Sequence, residues 1–233
     1  MSGVPSLARR IVTAPGIRLL WPGWPDAGRR IVQSPALESL LAQAITASPV
    51  PPARVVNAGA GEGLYSASIR RFVGNALLLE FDAARPPRTA DRRAQRFRAS
   101  LTAIPMPSGS VDLAVCTEVL EHVPDDRRAV AELRRILTPT GFLVLSVPTP
   151  PAVFDPAHVR EGYTLEQLRT IFEEHDLAIL DAHYSMHLLF RAVLQHWRPY
   201  RVPLAAILGF AWLDRLTRLG PPMDLAVLAQ PRR

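Results

Sequence analysis

Three glycines, Gly59, Gly61 and Gly63, follow a short β-branched run at 54–58, and the acid Glu80 closes a second apolar run, ALLLEFD, 21 residues after Gly59. Glycines let the main chain turn sharply and approach a ligand closely. The helix expected behind them points its N-terminus at the same place, which favours a carboxylate or phosphate. An acid at the end of the second strand can accept both hydroxyls of a ribose. Asp82 is the alternative for that role, and either acid could instead be solvated at a strand end. The third glycine comes one residue earlier than in the G-x-G-x-x-G fingerprint of dinucleotide sites, so a structural strand-to-helix turn is the competing explanation. His122, in EVLEHV, is a base if its imidazole is neutral near pH 7, or a loop pin if it bonds the backbone; Glu118 and Glu121 share the loop role. His158, Arg160 and Tyr163 fall in a proline-rich segment, where they either touch substrate or fasten the loop. His175, His183, His187 and His196 have no ligand spacing, and no metal is expected.

These residues need a scaffold. Short apolar runs predict strands at 54–58, 76–81, 96–99, 111–116, 141–147, 177–183 and 223–229, several of them buried on both faces. Helices are expected at 63–73, 125–137 and 164–175. In the second, Ala129, Val130, Leu133, Ile136 and Leu137 form the apolar side, and Arg127, Arg128, Arg134 and Arg135 are mostly solvated. Thr164 and Gln167 spell a capping box. Upstream, SPALESLLAQAI reads as a helix with Ser34 as N-cap and Pro35 at its first position. Strand–helix alternation predicts a mostly parallel sheet with helices on both faces and a ligand site at the carboxyl ends of the strands. The expected organisation is an N-terminal extension with a helix at 1–50, then one domain at 51–233 with an apolar insertion at about 186–213.

Of the 233 residues, 48% are apolar, enough for a core, and the net charge of +6 leaves acidic partners open without selecting one. All 27 basic residues are arginine, which fits genome composition better than function. Cys116 is the only cysteine, so no intrachain disulfide or cysteine-based metal site can form. A reducing cytoplasm is the expected compartment. The N-terminus lacks an apolar run of signal-peptide length. The run from Val202 to Leu213 would span about 18 Å as a helix against the roughly 30 Å of a bilayer core, so no transmembrane helix is expected.

Taken together, these pieces resemble the class I S-adenosylmethionine-dependent methyltransferases, in the small-molecule, type 11-like group. VVNAGAGEG is similar to the family's first motif, LLLEFD to its ribose-binding acid, and IPMPSGSVDLAVCTEVLEHVPD to its L-P-F-x-x-x-S-F-D stretch, fourth strand and E-x-L-E-H segment. AELRRILTPTGFLVLSVP and HVREGYTLEQL resemble the later helix, fifth strand and approach to the last large helix. The resemblance covers roughly residues 50 to 182. It implies a Rossmann-like class I methyltransferase fold with a seven-stranded, mostly parallel sheet, and S-adenosylmethionine as cofactor with S-adenosylhomocysteine as product. It implies that Asn57, Ala58, Gly59, Ala60, Gly61 and Gly63 meet the amino-acid end of that cofactor and that Glu80 takes the ribose. Phe81 would flank the adenine, Ser100 and Leu101 would meet its edge, and Cys116 and Thr117 would line the methionine side. His122 and His158 are the candidate catalytic residues.

Two positions depart from the family pattern: Asn57 replaces an acid, and Ser100 stands where an aspartate is common. A carboxylate about 5 Å from the cofactor's ammonium contributes about 3 kcal/mol at an effective dielectric near 20, before desolvation. Asn57→Asp would therefore tighten cofactor binding if position 57 faces the ligand. The implied function is methyl transfer to a small, partly apolar organic acceptor. The alternatives are a non-catalytic cofactor-binding module of the same fold, and an RNA methyltransferase using Arg85–Arg98, six arginines in fourteen residues, which is otherwise a solvated basic face. Residues 186–213 could be a lid, core or homodimer contact, or a membrane-surface contact aided by Arg191, Arg198 and Arg201, and Trp21 and Trp24 could close the same cavity.

Overall fold

The computed structural model describes residues 22–23, 28–61, 63–82, 93–153, 155–197 and 202–232. The chain divides into two compact units, Gln33–Ser185 with Pro222–Arg233, and Met1–Val32 with Met186–Pro221. Trp21, Trp24, Arg85, Arg198 and Arg201 lie outside the described residues.

In chain order the elements are β1 (Pro22–Gly23), α1 (Arg29–Ala47), β2 (Arg54–Ala58), α2 (Ser66–Val73), β3 (Leu77–Asp82), β4 (Gln95–Arg98) and β5 (Val111–Thr117). A single 3-10 turn, Leu120–His122, leads to α3 (Asp126–Ile136), β6 (Leu137–Pro148), α4 (Leu165–Glu173) and β7 (Leu177–Ser185). The chain continues through α5 (Leu188–Trp197), β8 (Val202–Pro203), α6 (Leu204–Thr217) and β9 (Asp224–Pro231).

The larger unit is built on a seven-stranded sheet in the order β4-β3-β2-β5-β6-β9-β7. Its first five strands pair in parallel, and β9 runs antiparallel to both β6 and β7. Alternate residues serve opposite faces. Val56, Ala58, Leu79, Ala114, Cys116 and Leu145 join the core under α3 and α4. Val55, Leu78, Leu113, Val115 and Val144 join Leu37, Leu40, Leu41 and Ala44 of α1 and Ile69 of α2. Both faces are covered, so the strands carry no polar alternation. Gln43 of α1 also donates to Asp181 of β7 at 2.7 Å.

Helix starts depart from the sequence expectation where glycine or packing intervenes. α2 begins at Ser66 rather than 63, because Gly63 takes a left-handed turn with φ 73°. α1 begins at Arg29, with Pro35 inside the helix instead of at its first position. Proline there removes one helical hydrogen bond, and Val32 and Gln33 in the preceding turn are buried. Residues of α1 from Ala36 to Ala44 pack on the sheet, and the division between the two units falls within this helix, between Val32 and Gln33. The capping box of α4 forms as expected, with Thr164 and Gln167 bonding reciprocally.

The smaller unit has its own logic. β1 and β8 pair antiparallel, and Gly28 meets Phe190 so closely that a Cβ would come within 2.5 Å of its ring. Asp214 of α6, fully buried, accepts from the backbone N–H of His187 at 2.8 Å and of Phe190 at 2.9 Å. Those amides open α5, so a carboxylate sits on the positive end of a helix. Replacing it leaves buried donors unmet, at about 1.5–3 kcal/mol for each such charged bond. Asp214→Ala is therefore expected to lower unfolding free energy by about 3 kcal/mol and to speed hydrogen exchange at the first α5 amides, read by urea titration and mass spectrometry.

Candidate active site

The carboxyl ends of β2, β3 and β5 converge because their register is fixed. Asn57 pairs with Glu80 and Val115, and Ala58 with Phe81 and Cys116. The next residues, Gly59 after β2 and Asp82 and Thr117 at the ends of β3 and β5, therefore stand side by side at the sheet's carboxyl edge. The Phe81 carbonyl accepts from both the Gly59 N–H at 2.8 Å and the Ala60 N–H at 2.9 Å, which folds the turn back over β3. Gly59, Gly61 and Gly63 all have left-handed φ, at 74°, 52° and 73°. At Gly59 a Cβ would also strike Val119 at 2.3 Å, whereas at Gly61 the nearest atom would be the Gly59 carbonyl at 3.9 Å. The first glycine is required by packing and the second opens onto free space.

That space is a cavity of about 480 Å³, within the usual range for small-ligand sites. The turn contributes Gly59 and Gly61, and β3 contributes Phe81 and Asp82. The stretch after β4 contributes Ala99, Ser100, Leu101 and Thr102, and the loop after β5 contributes Glu118, Val119, His122, Val123 and Pro124. Among the described residues two carboxylates and no arginine line it, so their charge suits a cationic ligand better than a phosphate. Phe81 stacks toward Phe97 with ring centroids 5.5 Å apart.

Asn57, Ala58, Ala60, Gly63, Glu80, Cys116, Thr117 and His158 do not line this cavity. Glu80 is fully buried in the sheet, where its Oε1 accepts from Asn57 Nδ2 at 3.4 Å and its Oε2 meets no hydrogen-bond partner. Register explains this: the residue beside Gly59 is Asp82, two positions further along the same strand face. Asp82, the alternative on sequence, is the acid that reaches the cavity. Cys116 is fully buried, and burial, reinforced by Glu121 and Glu118, pushes its thiol far up. It is a packed side chain, not a nucleophile.

The loop after β5 is fastened from both sides. Glu118 holds a left-handed φ of 54°, its Oε1 accepting from Ser146 Oγ at 2.9 Å. Non-glycine residues there carry strain of about 1–3 kcal/mol, often at functional sites. Arg160 donates to the carbonyls of Leu120, Val123 and Pro124 at 3.1, 2.8 and 3.0 Å, and Tyr163 donates to Asp126 at 3.0 Å. Of the two roles open on sequence, Arg160 and Tyr163 serve the structural one. His122 Nδ1 lies 3.0 Å from the Ala157 carbonyl, which can only accept, so Nδ1 donates there. His158 packs edge-on against His122 at 4.7 Å, and ligand atoms of Glu121, His122 and His158 lie within 4.8 Å of one another. The two histidines, 36 positions apart, are thus brought together, a juxtaposition that local spacing could not reveal.

Of the α3 arginines, Arg127 and Arg128 are exposed as expected, and Arg134 and Arg135 are half-buried. Arg135 donates to Met106 and Ile104 carbonyls at 2.7 and 2.9 Å and to both oxygens of Glu132, while Glu132 accepts from the Ile104 N–H at 2.9 Å. Arg128 reaches the Thr102 carbonyl at 3.2 Å. These bonds hold the 101–106 loop whose first residues line the cavity.

Residues 56–145 match the family model described as a methyltransferase domain. A probable S-adenosylmethionine-dependent methyltransferase of Mycobacterium tuberculosis is 32% identical over 96 residues, which cover 40% of this chain and 35% of that one. Another of that description, from Mycolicibacterium smegmatis, is 29% identical over 156 residues, covering 56% of this chain and 60% of that one. The chain thus spans between a third and two thirds of the relatives it matches. Its fold is similar to that of an S-adenosylmethionine dependent methyltransferase from Mesorhizobium loti, with a TM-score of 0.57, 20% identity and coverage of 84% and 96%. Residues 56–145 thus match a methyltransferase domain, within a fold similar to that of an S-adenosylmethionine dependent methyltransferase, and open α/β sheets of this kind take their ligands at the carboxyl ends of the strands.

Two outcomes follow. Asn57→Asp would set a second carboxylate 3.4 Å from Glu80; like charges at that range cost about 3 kcal/mol or more at an effective dielectric near 20. The substitution is expected to lower the melting temperature without tightening cofactor binding, the reverse of the sequence expectation; tighter binding at unchanged stability would contradict this geometry. For Glu132, the Arg135 hydrogen bonds hold the carboxyl below its ordinary value of 4.5. Its contribution is present above that value and lost as pH falls through the folded one. Glu132→Gln should flatten the acid limb of the stability curve below about pH 4.5, measured by urea unfolding at stepped pH.

Proposed function

We propose that this protein transfers a methyl group from S-adenosylmethionine to a small, partly apolar organic acceptor. The observation that carries the proposal is the cavity at the sheet's carboxyl edge, where an open glycine cradle, an aromatic ring and two carboxylates meet and, among the described residues, no arginine lines the wall. The residues fit the cofactor on three counts: Gly61 leaves room for its chain, Asp82 stands where two hydroxyls can donate to one carboxylate, and Phe81 and Leu101 offer apolar surface for a base. When bound, the cofactor supplies an electrophilic methyl group on a sulfonium.

The chain's part in such a reaction is positioning. Asp82 holds the ribose, and the Gly59 turn, locked by Phe81, fixes the depth of the cavity. Glu118, on the cavity wall, places negative charge near the cationic end. Val119, Val123 and Pro124 give that wall an apolar character, which favours a partly apolar acceptor and limits water. His122, held at Nδ1 by the Ala157 carbonyl, stands on the cavity wall as the candidate base for an acceptor that arrives as a hydroxyl or an ammonium.

Calorimetry with S-adenosylhomocysteine tests the assignment. Asp82→Ala is expected to raise the dissociation constant about 30-fold, the equivalent of about 2 kcal/mol for losing a charged hydrogen-bond acceptor. Glu80→Gln, buried behind the turn, should change it far less. The reverse ranking would return the ribose to Glu80. Tight binding without turnover on a panel of phenols, quinols and amines would favour a non-catalytic module.

A further inference from the structure

Helix α6 is apolar on two opposite faces. Ile207, Ala211 and Asp214, spaced four and three apart, are fully buried. Ala205, Gly209, Trp212, Leu213 and Leu216 repeat that spacing on the other side, and all are exposed. Trp212 is 51% exposed and Leu216 73%, and Leu219 just past the helix is 52% exposed. Leu188, also 51% exposed, extends the patch, since its N–H donates to the Leu219 carbonyl at 2.9 Å. A water-facing helix side normally carries polar residues, and scattered single apolar residues would need no explanation, whereas a contiguous row does.

Charge says what covers it. Arg215 lies over the Trp212 ring at 5.1 Å, and Arg218 caps the helix. The segments Met1–Val32 and Met186–Pro221 hold ten arginines against Asp26 and Asp214, and Asp214 is fully buried. The rest of the chain holds 17 arginines against 19 acids. The positive charge of the protein is thus concentrated in the unit that carries the apolar row. A second copy seated on this face would oppose two such units of like charge.

We propose that this face of α6 docks on the surface of an anionic phospholipid membrane. The helix lies in the interface, with Trp212, Leu213, Leu216 and Leu219 entering the headgroup boundary and Arg215 and Arg218 meeting lipid phosphates. It does not span: at 14 residues it is about 21 Å long, and among the described residues no helix is long and apolar enough to cross a membrane. The proposal is independent of the methyltransferase assignment.

Co-sedimentation of the full chain with vesicles tests it. Binding is expected to phosphatidylcholine vesicles containing about one-third phosphatidylglycerol, weaker binding to pure phosphatidylcholine, and release near 0.5 M salt, where screening is about 4 Å. Trp212→Ser with Leu216→Gln should weaken anionic-vesicle binding roughly tenfold or more, with an unchanged far-ultraviolet dichroism spectrum. If the pair perturbs folding, Leu216→Gln alone, at the most exposed position, should still weaken it roughly threefold. Arg215→Gln with Arg218→Gln should abolish the preference for anionic lipid. Equal sedimentation of wild type and these variants, or no vesicle binding by wild type, would overturn the proposal. So would a dimer that Leu216→Gln dissolves, or capture by polyglutamate in place of vesicles.

Discussion

The Phe81 carbonyl, accepting from two successive amides at Gly59 and Ala60, is the interaction on which the site depends. It uses the first two donors of the glycine turn internally, so the turn cannot drift away from β3. It also sets Gly59 against Val119, where no side chain would fit. The cavity is therefore shaped by backbone bonded to backbone, and the side chains that line it are placed by strand register. A site made this way tolerates wide variation in the helices outside it, provided the sheet order and the register survive.

The arrangement of acids is the second constraint. Position 57 holds an amide and its sheet neighbour at position 80 holds a carboxylate, so one negative charge occupies the pair. The same pair with two carboxylates would set like charges in contact within the core. Asn57 instead donates to Glu80 within the core. The ligand-facing acid is Asp82, one turn of the pleat further on. Glu132 and Arg135 extend the same economy outward, one ion pair holding two carbonyls and an amide of the loop that borders the cavity.

Much of this was legible in the sequence. The seven strands of the large sheet were visible as short apolar runs, because strands covered on both faces leave no polar alternation to confuse the pattern. The family resemblance, not spacing, named Phe81, Ser100 and Leu101, and these border the cavity with Gly59, Gly61 and His122. What was not legible depends on contacts between distant residues. Glu80 and Asp82 differ by two positions, and only the pairing of Ala58 with Phe81 decides which of them leaves the sheet beside Gly59. Arg160 and Tyr163 could have met a ligand until their bonds to the Leu120–Asp126 segment were seen. The early start of α1 was hidden because Pro35 looks like a first-turn residue, and the helical character of Leu204–Thr217 was hidden by its lack of a polar face.

The most direct measurement is a crystal structure of the protein grown with S-adenosylhomocysteine. The account predicts the nucleoside in the cavity beside Gly61, with both ribose hydroxyls within hydrogen-bond distance of Asp82 and the adenine against Phe81 and Leu101. Ribose hydroxyls bonded to Glu80 instead, or density for the ligand outside this cavity, would contradict it.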